Sequence, residues 1–332
     1  MKALLSRLPG GPETLTLEDV PEPIPGRGEV RVAVRACSVN FPDVLMIRDL
    51  YQFKPPRPFS PGSELAGVVD AVGEGVSNVR VGDRVLLCPA RSGMAEKAVG
   101  AAAQCWKIPD SMSFEEAAAL LMTYGTSQHA LQDRARLRSG ETLLVLGAGG
   151  GVGLAAVELG KALGARVVAA ASSAAKLTLA REHGADQTVQ YPAGALDKNT
   201  ARALTDEFKS HCGPDGAQVV YDSVGGDYTE AALRAIGWEG RHLVVGFPAG
   251  IPKLPLNLTL LKGCQVIGVF WGEFTRRFPA IHQQNVATLM RMYLDGQIKP
   301  AVTARFPLAQ GAAALASLES RAARGKVVVT IE

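Results

Sequence analysis

The chain lacks most of what would mark a membrane, secreted or nucleic-acid-binding protein. No apolar run reaches the ~20 residues that a bilayer-crossing helix needs, and no apolar stretch follows a basic start, so neither a membrane span nor a signal peptide is expected. Charge of either sign is nearly balanced, with 35 Lys and Arg against 32 Asp and Glu for a formal +3. The basic residues are scattered and form no polybasic run, so no nucleic-acid footprint is expected. Cysteine is scarce. Cys37, Cys88, Cys105, Cys212 and Cys264 are odd in number, far apart and without paired spacing, which suits reduced thiols in a cytoplasmic protein better than a disulfide framework. There is no H-E-x-x-H or C-x-x-C pattern, the five histidines are dispersed, and no G-x-S-x-G elbow is present. With neither a nucleophile nor a metal motif in view, a bound cofactor must carry any chemistry, and the protein must orient it.

What is present is enough for two packed domains: 332 residues, 47% apolar and 20% charged. The first third reads as short strands between turns. Residues 29–36 (EVRVAVRA) alternate polar and apolar, 65–72 and 84–87 look similar, and Gly82-Asp83 is a turn. This predicts a β-rich, barrel-like domain. From Thr142 the pattern changes. Strand-like runs at 142–146, 166–171, 187–191, 217–222, 242–247 and 264–271 alternate with helical or loop segments, including helices over 152–163 and 177–183. Six strands in such alternation predict a parallel, doubly wound α/β domain. Helices over 286–294 and 309–320 and a strand over 326–331 complete the chain.

The run Leu144-Val145-Leu146-Gly147-Ala148-Gly149-Gly150-Gly151-Val152-Gly153 ends a strand and opens a helix. Ala148, Gly150 and Gly153 occupy the three positions of the dinucleotide fingerprint G-x-G-x-x-G, alanine replacing the first glycine. Gly150 would let the backbone approach a pyrophosphate, Gly153 would let helix and strand pack closely, and the helix N-terminus offers free N–H groups. The bland alternative is a glycine-rich turn without a ligand. An NAD site usually carries an acid at the end of the second strand. Here that strand ends Ala169-Ala170-Ala171-Ser172-Ser173, with Lys176 three residues on and no acid, so NADPH is the expected cofactor. Ser172 and Ser173 can equally cap the next helix.

Several further segments, in order, carry a resemblance across nearly the whole chain: Ser38-Val39-Asn40-Phe41-Pro42-Asp43, Pro61-Gly62-Ser63-Glu64-Leu65-Ala66-Gly67-Val68-Val69, Val81-Gly82-Asp83-Arg84-Val85, the cofactor loop, Tyr221-Asp222-Ser223-Val224-Gly225-Gly226 and Gly325-Lys326-Val327. Together they resemble the zinc-less, zeta-crystallin-like quinone oxidoreductase branch of the medium-chain dehydrogenase/reductase superfamily. The resemblance implies a GroES-like catalytic domain from residues 1–123 and 272–332, a six-stranded Rossmann domain at 124–271, and an active site in the cleft. Zinc-containing relatives place a cysteine where this chain has Asn40 and a histidine where it has Ser63, so no metal is expected.

The resemblance also assigns roles. Asn40 matches the asparagine beside the nicotinamide and Tyr51 a tyrosine lining the substrate pocket; these are the expected catalytic residues. Thr126 matches a threonine near the nicotinamide. Ser173, Lys176, Tyr191 and Arg321 resemble the group that binds the adenosine 2′-phosphate side and the phosphates. The expected cofactor contacts further include Ala148, Gly150, Gly151, Val152, Gly153, Ser172, Val224, Gly246, Phe247, Phe270 and Trp271. The aromatics Phe270, Trp271 and Phe274 also read as core or dimer packing, and Asp43 with Arg48 as a structural or gating pair. The activity implied is hydride transfer from NADPH to a quinone or conjugated carbonyl. An enoyl-thioester or enal reductase, or a non-catalytic NADPH-binding protein, remains an alternative. The apolar strand Val266-Ile267-Gly268-Val269-Phe270-Trp271, expected at the sheet edge, points to a homodimer.

Overall fold

The computed structural model describes residues 1–320 and 323–332, and the chain divides into two units, Met1–Met122 with Lys299–Glu332, and Thr123–Ile298. The first unit begins with an antiparallel ribbon of β1 (Lys2–Leu5) and β2 (Thr16–Asp19). The long strand β3 (Glu29–Ser38) buries Val30, Val32 and Val34 while the residues between them stay partly exposed, as its alternating sequence predicts for a half-buried strand. Helix α1 (Phe41–Ile47) follows it directly. Then come β4 (Leu65–Val72), β5 (Arg84–Leu87), β6 (Lys97–Ala101) and β7 (Cys105–Lys107). Helix α2 (Phe114–Ala118) starts on a capping box, with Ser113 Oγ accepting from the Glu116 N–H and Glu116 reaching back to the Ser113 N–H.

The second unit is doubly wound. In chain order it contains β8 (Thr142–Leu146), α3 (Gly151–Ala162), β9 (Arg166–Ala171), α4 (Ala174–Glu182), β10 (Gln187–Gln190), α5 (Lys198–Cys212), β11 (Ala217–Asp222), α6 (Asp227–Ala235), β12 (Ile236–Val244), α7 (Asn257–Lys262), β13 (Gln265–Gly268), α8 (Trp271–Arg277) and α9 (Pro279–Leu294). The six strands form a parallel sheet in the order β10-β9-β8-β11-β12-β13. β8 is buried along its whole length, the mark of a central strand covered on both faces. The strand order reverses between β8 and β11, where open α/β sheets bind ligands. The chain then returns to the first unit with β14 (Val302–Pro307), α10 (Gly311–Glu319) and β15 (Lys326–Thr330), closing a sheet ordered β14-β15-β3-β4-β5-β7, with β6 also paired to β3. Its core gathers Val32, Leu65, Val85, Met94, Val327 and Val329.

Three expectations need adjusting. The last strand stops at Gly268 instead of reaching 271, because Trp271 opens α8 and turns inward. A Cβ on Gly125 would come within 2.9 Å of the indole, and the indole meets His282 edge-on at 5.4 Å. The second unit runs to Ile298, beyond the expected boundary at 271. Phe274 stacks on His129 at 3.9 Å and Asn285 donates to Asp133, so α8 and α9 pack within this unit. Finally, β12 begins at Ile236, six residues before the expected 242–247 strand.

Candidate active site and cofactor loop

The glycine loop sits at the end of β8. Gly147 makes the turn at φ +73°, a conformation that favours glycine. The Ala148 N–H bonds the Ala170 carbonyl at 3.0 Å and its methyl is fully buried, so the alanine at the first fingerprint position fits without strain. Gly150 is the N-cap of α3, and Gly151 and Val152 form its first turn, half-buried. Gly153 has no room for a side chain: a Cβ there would lie 2.1 Å from the Gly147 carbonyl oxygen. A Cβ on Gly150 would meet nothing nearer than that same oxygen, at 3.6 Å. The loop is thus tight beneath Gly153 and open over Gly150, beside a helix N-terminus. That combination fits a dinucleotide pyrophosphate.

Ser172, Ser173 and Lys176 lie at the end of β9, where no carboxylate is present. Ser173 caps α4, accepting from the Lys176 N–H at 3.4 Å. The Lys176 stem lies over Gly149, whose built Cβ would be 2.4 Å from Lys176 Cβ. Tyr191 bonds the Ala171 carbonyl through its N–H and packs against Tyr228 with ring centroids 4.8 Å apart. Thr126 is half-buried, and its neighbour Ser127 donates to the Val152 carbonyl at 2.9 Å and pairs with Tyr221 Oη at 2.9 Å, tying this segment to the loop. Val224, Gly246 and Phe247 come together around Asp222, which accepts from the N–H groups of Val224 and Gly225 and from Thr229 Oγ1. The Gly246 N–H bonds the Asp222 carbonyl, and Phe247 crowds Gly225. Burial opposes the Asp222 charge, yet His242 and these donors hold its carboxyl below the usual range. Phe270 is exposed while Trp271 packs inside the unit. Arg321 lies outside the described residues.

The first unit holds a different cluster. Asn40 ends the extended segment after β3 and starts α1, and its N–H donates to Asp43 Oδ2 at 2.8 Å. Ser63 Oγ donates to Asp43 Oδ1 at 2.5 Å. Asn40 Nδ2 donates to Ser38 Oγ at 3.1 Å, and Ser38 Oγ donates to Glu64 Oε2 at 2.9 Å. The other Glu64 oxygen accepts from the N–H groups of Leu121 and Met122. Lys326 Nζ donates to Asn40 Oδ1 at 2.7 Å. Asp43, Glu64 and Lys326 are all buried. Burial pushes the Glu64 carboxyl up to about 7, with Lys326 pulling the other way, and it raises Asp43 and lowers Lys326. Burial likewise pushes the Cys37 thiol up, so it stays protonated. Tyr51 packs on this core, its phenol raised by burial and then by the Asp43 charge. The expected Asp43–Arg48 pair does not form: Arg48 bonds Glu319 at 2.7 Å. Among the described residues no three of His, Cys, Asp and Glu are grouped to hold a metal ion.

Comparison with known proteins settles the family. The family described as an alcohol dehydrogenase GroES-like domain matches residues 26–127, and that described as a zinc-binding dehydrogenase matches 151–287. A quinone oxidoreductase-like protein 2 from Mus musculus is 38% identical over 96% of this chain and 90% of the relative. The chain belongs to the quinone oxidoreductase branch of the medium-chain dehydrogenase/reductase superfamily. A solved Escherichia coli quinone oxidoreductase complexed with NADPH shares 28% identity at a TM-score of 0.89, covering 99% of this chain and all of that one. A mycobacterial protein, Rv1454c, also complexed with NADPH, shares 31% at 0.91 over 99% and 100%. For this quinone oxidoreductase relative, the β-rich unit is the GroES-like domain and the parallel-sheet unit the dinucleotide-binding domain.

Sequence reading missed Ser38, Glu64 and Lys326 as site residues. The motifs Pro61-Gly62-Ser63-Glu64 and Gly325-Lys326-Val327 flagged the segments, but nothing in their spacing said that the side chains meet.

Proposed function

We propose that this chain is an NADPH-dependent reductase that transfers hydride to a quinone or conjugated carbonyl without a metal. The observation that carries the reading is the loop open at Gly150, followed by a second strand that ends in Ser172, Ser173 and Lys176 with no carboxylate. Bound there, NADPH would supply the hydride; the chain supplies position and electrostatics. Backbone N–H groups of α3 and the loop would hold the pyrophosphate. Ser173 and Lys176 would receive the 2′-phosphate, which a carboxylate would repel. Asn40 would offer an amide donor, and Tyr51, kept protonated by burial, a phenol donor to an acceptor oxygen that gains charge. The NADPH-complexed relatives and the quinone oxidoreductase names support the same reading.

Zinc chemistry fits poorly. Where a ligand cysteine and histidine would stand, Asn40 and Ser63 are engaged with Lys326 and Asp43, and an ammonium 2.7 Å from Asn40 Oδ1 would repel a second cation. We also propose a homodimer through the β13 edge, since Trp238, Leu256, Leu260 and Leu261 are exposed beside it in the second unit. The deciding experiment is NADPH oxidation, against NADH, with quinones, enones and enoyl thioesters. Turnover of quinones with NADPH supports the reading, turnover of thioesters alone selects that substrate class, and no turnover refutes it.

A further inference from the structure

Lysine is rarely buried, because removing its charge from water costs several kcal/mol unless that charge is fully met. Lys326 is 4% exposed. The pairing of β15 with β3 brings it there: Val328 faces Ser38 and Val329 faces Cys37, and two residues further that register sets Lys326 across from Asn40. The Val39 N–H bonding the Val327 carbonyl at 2.9 Å closes the ladder.

The hydrogen bonds around it all run one way. Lys326 Nζ donates to Asn40 Oδ1 at 2.7 Å, Asn40 Nδ2 to Ser38 Oγ at 3.1 Å, and Ser38 Oγ to Glu64 Oε2 at 2.9 Å. A cation therefore stands at the head of the chain and a carboxyl at its tail, an arrangement in which each bond polarises the next. Because an ammonium has no acceptor, the reversed Asn40 amide would set NH2 against NH3⁺ and abandon Ser38. The orientation is thus fixed: the carbonyl is committed to Lys326, and Nδ2 spends one N–H on Ser38 and keeps the other. That second N–H makes no hydrogen bond among the described residues, and Asn40 is 7% exposed.

We infer that Lys326 is a positioning residue, whose ammonium locks the Asn40 amide so that it presents an N–H, and never its carbonyl, to an oxygen of the bound ligand. The ligand chemistry selected is a carbonyl or carboxamide oxygen, an acceptor. The inference rests on the reading of Asn40 as a ligand-facing group. Lys326 itself needs no contact with ligand; it acts through the amide.

The test uses Lys326→Met, and Lys326→Met with Glu64→Gln, which removes both ends of the chain together so that no uncompensated Glu64 charge threatens the fold. The double variant should unfold near the wild-type temperature and lose about ten- to hundredfold in kcat, the range for one hydrogen bond to a charged group. Lys326→Arg, which keeps a cationic donor, should recover most of it. On an Asn40→Ala background the same lysine change should alter kcat by less than about twofold, since nothing remains to position. A readout independent of turnover is the Asn40 side-chain amide in an ¹⁵N spectrum, assigned by its disappearance in Asn40→Ala. In wild type its two protons should be inequivalent, one protected from exchange and one not; in the double variant they should exchange alike. Equivalent, fast-exchanging protons in wild type overturn the inference, as does a lysine effect undiminished on the Asn40→Ala background. If the amide is locked but NADPH reduces no acceptor, the reductase reading falls and the lysine's role stands.

Discussion

Gly150 and Gly153 separate the fold from the cofactor, and one methyl group at each tells them apart. At Gly153 a Cβ would come 2.1 Å from the Gly147 oxygen, 2.6 Å from its carbonyl carbon and 2.9 Å from Ala148 Cα. All three are backbone, so α3 must lift by about an ångström. Overpacking of this kind costs about 1–3 kcal/mol, and the helix propensity gained by alanine over glycine returns about 1 kcal/mol. Gly153→Ala should therefore lose up to about 2 kcal/mol, a fall of up to roughly 8 °C in Tm for a domain of this size, and should also weaken NADPH. At Gly150 the backbone lies at φ −93° and ψ 168°, open to any residue, and the nearest atom is 3.6 Å away. A poorer N-cap is offset by the lower entropy of the unfolded chain, so Gly150→Ala should change stability by no more than about 0.5 kcal/mol. The methyl would, however, stand where the pyrophosphate passes, and a misfit of about 1–3 kcal/mol weakens binding about 5- to 150-fold. Titration of nicotinamide emission gives Kd, and thermal unfolding without ligand gives stability. A Gly150→Ala protein that binds NADPH as tightly as wild type refutes the assignment of this loop as the pyrophosphate cradle.

Three other expectations follow from the same structure. Lys176→Ala should weaken NADPH by about 1.5–3 kcal/mol and leave NADH nearly unchanged; equal losses, or an NADH preference in wild type, would remove the 2′-phosphate role. Glu64, raised to about 7 when folded against 4.5 in the open chain, contributes stability that is fully present below pH 4.5 and is lost as pH rises through 7, up to about 3 kcal/mol. Wild type should thus lose more stability than Glu64→Gln between pH 5 and 8, and parallel pH profiles would contradict the raised carboxyl. For the dimer, light scattering should give twice the 34.9 kDa chain mass, and Leu260→Asp should yield monomer; Val269 is unsuitable for this test because its N–H already bonds Val244 inside the chain. A wild-type mass near one chain rules the dimer out.

The second unit was largely readable from sequence because its determinants are local. The buried run of β8, the glycines after it and the capping Ser173 lie within about 30 residues, and each needs only its neighbours to be recognised. Where reading slipped, a longer-range contact decided. β13 stops early because Trp271 finds the Gly125 face, which lies nearly 150 residues before it in the chain. The pair expected between Asp43 and Arg48 does not form, because five residues along a helix turn through about 140°, so their side chains diverge. Asp43 faces Ser63 inside, and Arg48 reaches Glu319.

The same physics explains why the glycine loop of the second unit and the Asn40 cluster of the first differ in how openly they declare themselves. The pyrophosphate cradle proposed for the glycine loop would work through backbone N–H groups, so its only demand on sequence is the absence of Cβ atoms, and glycine is the visible trace of that demand. The cluster around Asn40 works through side chains drawn from β3, the start of α1, the segment just before β4 and β15, with Lys326 and Asn40 brought together by strand register alone. Each member taken singly is an ordinary serine, glutamate or lysine. What distinguishes them is burial without an unmet charge: Glu64 has three donors, Ser38 and the Leu121 and Met122 N–H groups, and the field of Lys326 besides, and Asp43 has Ser63 and the Asn40 N–H. A group of buried charges survives selection only if it is satisfied as a set, since removing one member strands the rest. The chain therefore buries charges that are satisfied as a set, and the ammonium of Lys326 supplies there the fixed positive charge that orients the neighbouring donor.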